Sequence, residues 1–201
     1  AGKTTSFYMS VGLIKPDGGS VFIDRDEITD FPMYIRARKG IGYLPQESSI
    51  FRKLTVRENI TAILEVIPDG GFNIDQKADD LMNELGILPL EAQKASSLSG
   101  GERRRLEISR VLATDPKFIL LDEPFAGIDP LAVIDIQQII YQLTKKGIGV
   151  LISDHNVRET LGVCNNAYIM SQGKVIESGN PDKIISSEIA KKIYLGENFK
   201  L

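Results

Sequence analysis

The sequence predicts an α/β fold in which a parallel sheet is flanked by helices and carries an α-helical subdomain. Short apolar runs alternate with longer stretches in which apolar residues recur at helical spacing. The run at 41–44 reads as a compact apolar strand that Pro45 ends, and the runs at 118–121 and 148–153 have the length and composition of parallel strands buried on both faces. Between 47 and 98 helical spacing dominates, so we assign this stretch to the helical subdomain of a single domain spanning 1–201.

Helix ends are marked by capping residues. A first helix is expected over 4–14, with Phe7, Tyr8, Val11 and Ile14 on one face. Thr55 and Glu58 form a capping box ahead of the helical subdomain.

The second half of the chain carries further local signals. Asp129 precedes a helix that Gly147 stops. A strand is expected over 20–24, and a hairpin over 167–179 that turns at Gln172–Gly173 and leads into a short amphipathic tail.

Composition narrows the functional classes. The 201 residues are 42% hydrophobic and 25% charged, as in an average globular domain. No apolar run approaches the roughly 20 residues that cross a bilayer. A net charge of −3 argues against a nucleic-acid partner, so none is expected. Cys164 is the single cysteine, which excludes an internal disulfide and fits a reducing compartment.

The first residues match the second half of the phosphate-binding loop G-x-x-x-x-G-K-S/T. We therefore expect this sequence to be an N-terminally truncated part of a longer protein. If Gly2 opens a helix, its N–H groups face the phosphates, Lys3 reaches the β- and γ-phosphates, and the Thr4 hydroxyl binds Mg²⁺. Gly2, Lys3, Thr4 and Thr5 are the candidate ATP-binding residues of this segment. The alternative is a surface turn that caps a helix.

Two carboxylates follow the apolar run 118–121. Ligands bind at the carboxyl ends of strands in open α/β sheets. Asp122 suits coordination of Mg²⁺, and Glu123 suits a general base that activates a water. The alternative is an acidic turn closed by Pro124, which leaves the preceding apolar run unexplained.

The segment Ser99-Gly100-Gly101-Glu102 has the spacing of a capping box. A cap does not require two glycines, each of which costs a helix about 1 kcal/mol. Bare backbone N–H groups approaching an anion would justify them, so all four residues are candidate phosphate-binding residues. Of the three arginines at 103–105, at least two are interpreted as a solvated basic face.

Three polar residues complete the candidate site. His155, the single histidine, follows the strand 148–153, so we expect it near Asp122 and in contact with the γ-phosphate. Gln46 follows 41–44 in the same way and is placed to contact both Mg²⁺ and the attacking water. Asp129 is interpreted as a helix N-cap.

Together these residues resemble the ATP-binding cassette (ABC) ATPases, whose core is a P-loop NTPase fold. The matching motifs occur in the order of that family and are partial Walker A (Gly2-Lys3-Thr4), Q-loop (Gln46), signature (98–102), Walker B with catalytic glutamate (Asp122-Glu123), D-loop (126–129) and H-loop (His155).

The resemblance implies ATP and Mg²⁺ as cofactors and a head-to-tail homodimer. Each ATP would lie between the Lys3 loop of one copy and the Ser99 helix of the other, with Asp129 acting across the boundary. It further implies a membrane permease whose coupling helix enters a groove near Phe51 and Arg52, although Phe51 could equally pack in the core. The N-terminal β-region that carries the adenine-stacking aromatic residue in this family does not match any part of the sequence.

Within the family, the sequence is similar to the ATPase subunits that drive lipopolysaccharide export. The segments that carry this similarity are 43–46 with 49–52, 124–130, 154–161 and the terminal stretch 194–201. The similarity implies a cytoplasmic protein held peripherally at the cytoplasmic face of the inner membrane.

Three other assignments remain. One is the ATPase of an importer, such as the branched-chain amino acid type. A second is a cassette protein acting on DNA or ribosomes, which a missing coiled-coil insertion disfavours. The third is a non-hydrolysing scaffold, disfavoured by the presence of Glu123 and His155.

Overall fold

The computed structural model describes residues 2–68 and 71–192. Within them the helices, besides two short 3₁₀ turns, are α1 (Lys3–Val11), α2 (Met33–Arg38), α3 (Val56–Leu64), α4 (Ile74–Glu84), α5 (Gly100–Leu112), α6 (Pro130–Lys145), α7 (Val157–Leu161), α8 (Pro181–Ser186) and α9 (Glu188–Ala190). The strands of the same residues are β1 (Phe22–Ile23), β2 (Asp26–Glu27), β3 (Ile41–Leu44), β4 (Phe118–Asp122), β5 (Gly149–Ser153), β6 (Ala167–Ser171) and β7 (Lys174–Gly179).

A three-stranded parallel sheet in the order β3-β4-β5 organises the fold. Leu121 pairs with Leu44 on one side and with Ile152 on the other, so the three strands end at the same level. Because parallel strands share a direction, the residues that follow them emerge at one edge. This register brings three distant parts of the sequence to one place.

The central strand is buried as predicted, but β5 is not. In β4 every residue after Phe118 is buried. In β5 the side chain of Leu151 is 47% exposed. The expectation of burial on both faces is therefore wrong for β5, because among the described residues it lies at the edge of the sheet and pairs only with β4.

The helical subdomain and the sheet share one hydrophobic cluster, which contains Ile60 and Met82 from the subdomain and Ile119 from β4. The Thr55–Glu58 capping box is present at the start of α3, with both reciprocal hydrogen bonds. Helices α3 and α4 pack on each other and on α5. Helix α5 therefore connects the subdomain to the sheet.

The N-terminal segment differs from the prediction. Helix α1 ends at Val11 because Gly12 adopts a left-handed conformation with φ 86°. The side chains of Tyr8 and Ile14 are exposed, so only Phe7 and Val11 pack inward. The predicted strand 20–24 is reduced to β1, which pairs with β2.

Helix α2 was not predicted from the sequence, because the residue that it buries is charged rather than apolar. Its buried residue is Arg36, whose guanidinium donates to the carbonyls of Phe31, Met9, Ser10 and Thr29 at 2.7–2.8 Å. Helices are predicted from apolar residues that recur at helical spacing, and this pattern does not identify a helix whose inward-facing residue is an arginine.

Other local predictions are confirmed. The β6–β7 hairpin turns at Gln172 (φ 49°) and Gly173 (φ 75°), and Asp129 caps α6. The terminal stretch 194–201, which carries part of the sequence similarity, lies outside the described residues. None of the helices in the described ranges is long and apolar enough to cross a bilayer.

The start of α5 lies unusually close to α6. A Cβ built on Gly101 would come within 2.7 Å of the Cβ of Ala132, whereas a Cβ on Gly100 would meet no atom closer than 3.4 Å. Gly101 is therefore a steric requirement of helix packing.

We expect Gly101→Ala to lower the free energy of unfolding by about 1–2 kcal/mol, because two rigid methyl groups cannot both occupy this contact. Chemical denaturation measures the effect. Gly100→Ala is the matched control and should leave the unfolding free energy unchanged or slightly raised. Equal behaviour of the two variants would contradict the close contact.

Candidate functional site

Three predicted residues meet where the parallel strands end. The side-chain Nε2 of Gln46 donates a 2.8 Å hydrogen bond to Oε2 of Glu123. Nδ1 of His155 lies 3.5 Å from Oε1 of the same carboxylate. Gln46 follows β3, Glu123 follows β4 and His155 follows β5, so the sheet register alone explains the convergence. The prediction that these side chains lie together is confirmed by the geometry.

The backbone at Glu123 is strained. Its φ is 49°, in the left-handed region that non-glycine residues rarely adopt. Its N–H donates to the carbonyl of Ser153 at 2.6 Å, which continues the β4–β5 ladder by one bond. Such conformations persist only where the surroundings impose them, and they cluster at functional sites. The strain turns the Glu123 carboxylate toward Gln46 and His155.

Asp122 is a buried carboxylate without a hydrogen-bond partner. The residue is 1% exposed, and neither side-chain oxygen has a partner within hydrogen-bonding geometry. Burial is the main cause that raises the pKa of this carboxyl, and the charge of Glu123 adds to it, whereas the nearby Ser153 hydroxyl and the charges of Lys3 and Arg104 lower it. Because burial outweighs these contributions, the charged form of Asp122 is disfavoured, and a carboxylate in this position fits a bound cation.

The residues around Asp122 fit a bound Mg²⁺. Mg²⁺ typically takes one or two carboxylates and completes its shell with substrate phosphates and water. Asp122 supplies the carboxylate, and the exposed side chains of Thr4 and Gln46 are the further candidates.

Lys3 ties the start of α1 to the same site. Its Nζ donates a 2.9 Å hydrogen bond to the backbone carbonyl of Asp154, the residue before His155. Gly2 precedes α1 with φ 106°, a conformation suited to glycine. Thr4 and Thr5 are exposed in the first turn. The N-terminus of α1 thus lies beside the strand ends, where its N–H groups and Lys3 suit a phosphate.

Arg104 is a site residue that the sequence reasoning missed. Its buried guanidinium donates to the carbonyl of Glu123 at 2.8 Å, to that of Asp122 at 3.3 Å and to that of Pro124 at 3.2 Å. It also donates to the carbonyl of Pro45 at 3.4 Å. Arg103 and Arg105 are only half-buried, so the solvated interpretation fails for Arg104 in particular.

A buried ion pair completes this network. Nη1 of Arg104 lies 3.0 Å from Oε2 of Glu107, one turn further along α5. The hydroxyl of Ser48 donates to Oε1 of Glu107 at 2.6 Å. The signal in the sequence was an Arg and a Glu three apart on the apolar face of a helix, where charges are rare unless paired.

The N-terminus of α5 is open to solvent. Ser99 and Gly100 are exposed, and Ser99 with Glu102 forms the predicted capping box. Gly101 is buried, and its contact with α6 explains this glycine without invoking an anion. Gly100 and Gln46 both line a cleft of about 140 Å³. The exposed end of α5 is therefore free to face a phosphate held by another molecule.

Asp129 acts as a helix cap, as predicted. Its Oδ1 accepts from the N–H of Ala132 at 3.0 Å, and the residue is exposed. The preceding Gly127 has φ 69°. The loop between β4 and α6 thus presents a carboxylate at the surface next to the start of α5.

Phe51 lies on the surface rather than in the core. Its side chain is 45% exposed, and the guanidinium of Arg110 stacks over the ring at 4.6 Å from its centroid. The buried Asn59 holds the Phe51 backbone through bonds to both its N–H (2.8 Å) and its carbonyl (3.0 Å). Core packing is therefore excluded for this ring, and Arg52 beside it is also exposed.

We expect Asp122→Asn to raise the thermal midpoint of the nucleotide-free, metal-free protein at pH 7, because it removes a buried unpaired charge. Since the pKa of Asp122 is raised on folding, the penalty is present at neutral pH and disappears below about pH 4. Differential scanning calorimetry at both pH values measures it.

The same variant should lose most of the extra stabilisation that Mg²⁺ gives in the presence of ATP. A lower midpoint for Asp122→Asn at pH 7, or an unchanged Mg²⁺ effect, would contradict the assignment of this carboxylate.

Comparison with known proteins agrees with this geometry. The sequence model described as "ABC transporter" matches residues 1–126. The chain is 55% identical over 202 residues to the lipopolysaccharide export system ATP-binding protein LptB of Escherichia coli K12, covering all of this chain and 84% of that protein. It is 52% identical to the protein of the same name from Acidithiobacillus ferridurans, with 100% and 83% covered.

The fold has solved counterparts. A structure of MJ1267, an ATP-binding cassette of an ABC transporter, superposes with a TM-score of 0.87 at 30% identity, covering 97% of this chain and 84% of that one. The sequence comparisons and the structural comparison thus identify the same family. The chain belongs to the ABC transporter family and is one of its ATP-binding subunits, with the ATPase fold of that family.

Proposed function

We propose that this protein is the ATPase subunit that powers lipopolysaccharide export from the bacterial inner membrane. The observation that supports the hydrolytic part is the convergence of Gln46 and His155 on Glu123, the residue that follows the buried Asp122. The substrate class rests on the two relatives named as lipopolysaccharide export ATP-binding proteins, which are 52% and 55% identical to the whole chain.

Each residue has a defined task in hydrolysis. The start of α1 and Lys3 hold the phosphates, and Asp122 with Thr4 would hold Mg²⁺, which would neutralise charge on the β- and γ-phosphates when bound. Glu123 orients and deprotonates the attacking water. His155 contacts the γ-phosphate, and Gln46, bonded to Glu123, would contact both Mg²⁺ and the water.

Two copies act together. The exposed Ser99 and Gly100 at the start of α5 bind the phosphates of an ATP held by the Lys3 segment of the other copy, and Asp129 contacts the partner from the adjacent loop. ATP closes this head-to-tail dimer, and hydrolysis separates it. The exposure of Ser99 and Gly100 supports the arrangement, because a buried end of α5 would be out of reach of a second copy.

The membrane permease binds at the face that contains Phe51 and Arg52. The half-exposed ring stacked on Arg110 supports this assignment, because exposed aromatic residues and arginines are enriched at protein interfaces. The protein then acts at the cytoplasmic face of the inner membrane, bound peripherally to its permease.

Glu123→Gln should reduce ATP turnover by about 10²–10⁴-fold, the usual contribution of a general base, while leaving ATP binding intact. Because closure precedes hydrolysis, the variant should accumulate as an ATP-bound dimer in ATP and Mg²⁺. Phosphate release and light scattering measure the two effects.

Glu58→Gln is the matched control. It makes the same chemical change in a carboxylate that caps α3, outside the proposed ATP site, and it should hydrolyse ATP and dissociate afterwards. A Glu123→Gln variant that stays monomeric in ATP and Mg²⁺, while the unmodified protein hydrolyses normally, would contradict the sandwich.

Phe51→Ala should weaken co-purification of the lipopolysaccharide-export permease subunits more than it lowers the basal ATPase rate, because the ring lies outside the hydrolytic cluster. Affinity capture from membranes, with quantification of the permease subunits, measures it. Phe22→Ala, which removes a ring that is 59% exposed on β1, is the control and should retain the permease.

Equal loss of assembly and ATPase rate in Phe51→Ala would indicate a folding defect instead. Capture of solute-import permeases or ribosomes by the unmodified protein would overturn the assignment to lipopolysaccharide export.

A further inference from the structure

We propose that the carboxylate of Asp154 is a positioning residue that sets the spacing between the loop of Glu123 and the loop of His155. The inference rests on the roles proposed above for those two residues. Asp154 follows β5 and directly precedes His155. Its side chain is 0% exposed, although it is an acidic residue just beyond the end of a strand.

The two oxygens of this carboxylate bind different loops. Oδ2 accepts a 3.1 Å hydrogen bond from the N–H of Phe125, two residues after Glu123. Oδ1 accepts a 2.8 Å hydrogen bond from the N–H of Asn156, one residue after His155. One rigid planar group therefore bridges the segments that carry the two catalytic side chains.

The chemistry of the bridge requires a carboxylate. An ionised carboxylate only accepts hydrogen bonds and has acceptor sites on both oxygens. The amide of Asn has the same shape but presents a donor in place of one oxygen. With both partners being backbone N–H groups, an amide necessarily faces one of them donor to donor. Asp154→Asn therefore breaks one of the two hydrogen bonds while leaving the volume of the side chain nearly unchanged.

The bridge lies next to the reacting groups. Nδ1 of His155 is 3.7 Å from Oδ1 of Asp154 and 3.5 Å from Oε1 of Glu123, so the ring lies between the two carboxylates. Releasing either loop changes the distance between His155 and Glu123. Catalytic groups tolerate little misplacement, because about 1 Å can cost 10²-fold in rate.

The contact between Asp154 and the phosphate-binding segment involves its backbone and not its carboxylate. Lys3 contacts the backbone carbonyl of Asp154, which a side-chain substitution retains. The carboxylate itself bonds no residue of the phosphate-binding segment. The side chain should therefore affect the turnover number and leave ATP affinity alone, a split that a general loss of structure would not produce.

The test is the steady-state kinetics of Asp154→Asn in the purified protein. We expect kcat to fall by about 10–10²-fold, with KM and the dissociation constant for ATP within about twofold of the unmodified protein. Asn156→Ala is the matched control. It removes an exposed side chain in the same loop but keeps the N–H that Asp154 binds, so its kcat should be unchanged.

A double variant separates positioning from a general structural effect. If Asp154 acts through His155, adding Asp154→Asn to His155→Ala should lower the residual rate no further, because residues that act as a unit are not additive. Multiplicative losses would overturn the proposal, as would an unchanged kcat in Asp154→Asn.

A variant that loses ATP affinity and thermal midpoint together would also overturn it, since the carboxylate would then be a general stabiliser. Failure of the proposed function looks different: His155→Ala and Glu123→Gln would themselves retain full turnover. If those two lose turnover and Asp154→Asn does not, only the positioning role is wrong.

Discussion

The arrangement of the site depends on one buried guanidinium. Arg104 reaches from α5 across the ends of β3 and β4 and donates to the carbonyls of Pro45, Asp122, Glu123 and Pro124. A buried cation must have its donors satisfied, and hydrogen bonds to charged groups are roughly twice as strong as neutral ones. These bonds hold the start of the signature helix and the turn after the central strand as one unit. A change in one is therefore transmitted to the other.

Two features of the site lower the stability of the folded protein, and the rest of the fold compensates for them. Asp122 is buried without a hydrogen-bond partner, and Glu123 occupies a left-handed backbone conformation. Each would be disfavoured in an ordinary turn. Asp122 is the last residue of β4 and Glu123 follows it, whereas Ile119, Leu120 and Leu121 of the same strand belong to buried hydrophobic clusters. Stability supplied by the core thus permits a strained, charged turn at the place where we propose that a cation and a phosphate bind.

The surface around Phe51 is connected to this turn by a short series of contacts. Arg110 stacks on Phe51 and bonds Ser49, and the neighbouring Ser48 bonds Glu107. Glu107 pairs with Arg104, which holds the backbone of Glu123. The surface around Phe51 and the turn at Glu123 are therefore joined by a continuous series of contacts through α5.

Local chemistry made much of the fold predictable from the sequence. Capping boxes at Thr55 and Ser99, the hairpin at Gln172 and the cap at Asp129 involve neighbours in the chain, so their side chains specify them. The apolar runs predicted parallel strands, and parallel strands end at one edge. That rule alone predicted the meeting of Gln46, Glu123 and His155, because it needs no knowledge of side-chain packing.

Only the tertiary structure decided which polar residues hold those three in place. Arg104 was one of three consecutive arginines, distinguished only by its spacing from Glu107, and Asp154 was one polar residue beside a histidine. Their partners are backbone groups of segments distant in sequence, and backbone groups are the same at every position. Whether Gly101 serves an anion or a helix contact likewise depends on how near Ala132 lies. Such distances are set by how the elements pack, and a linear pattern does not contain them.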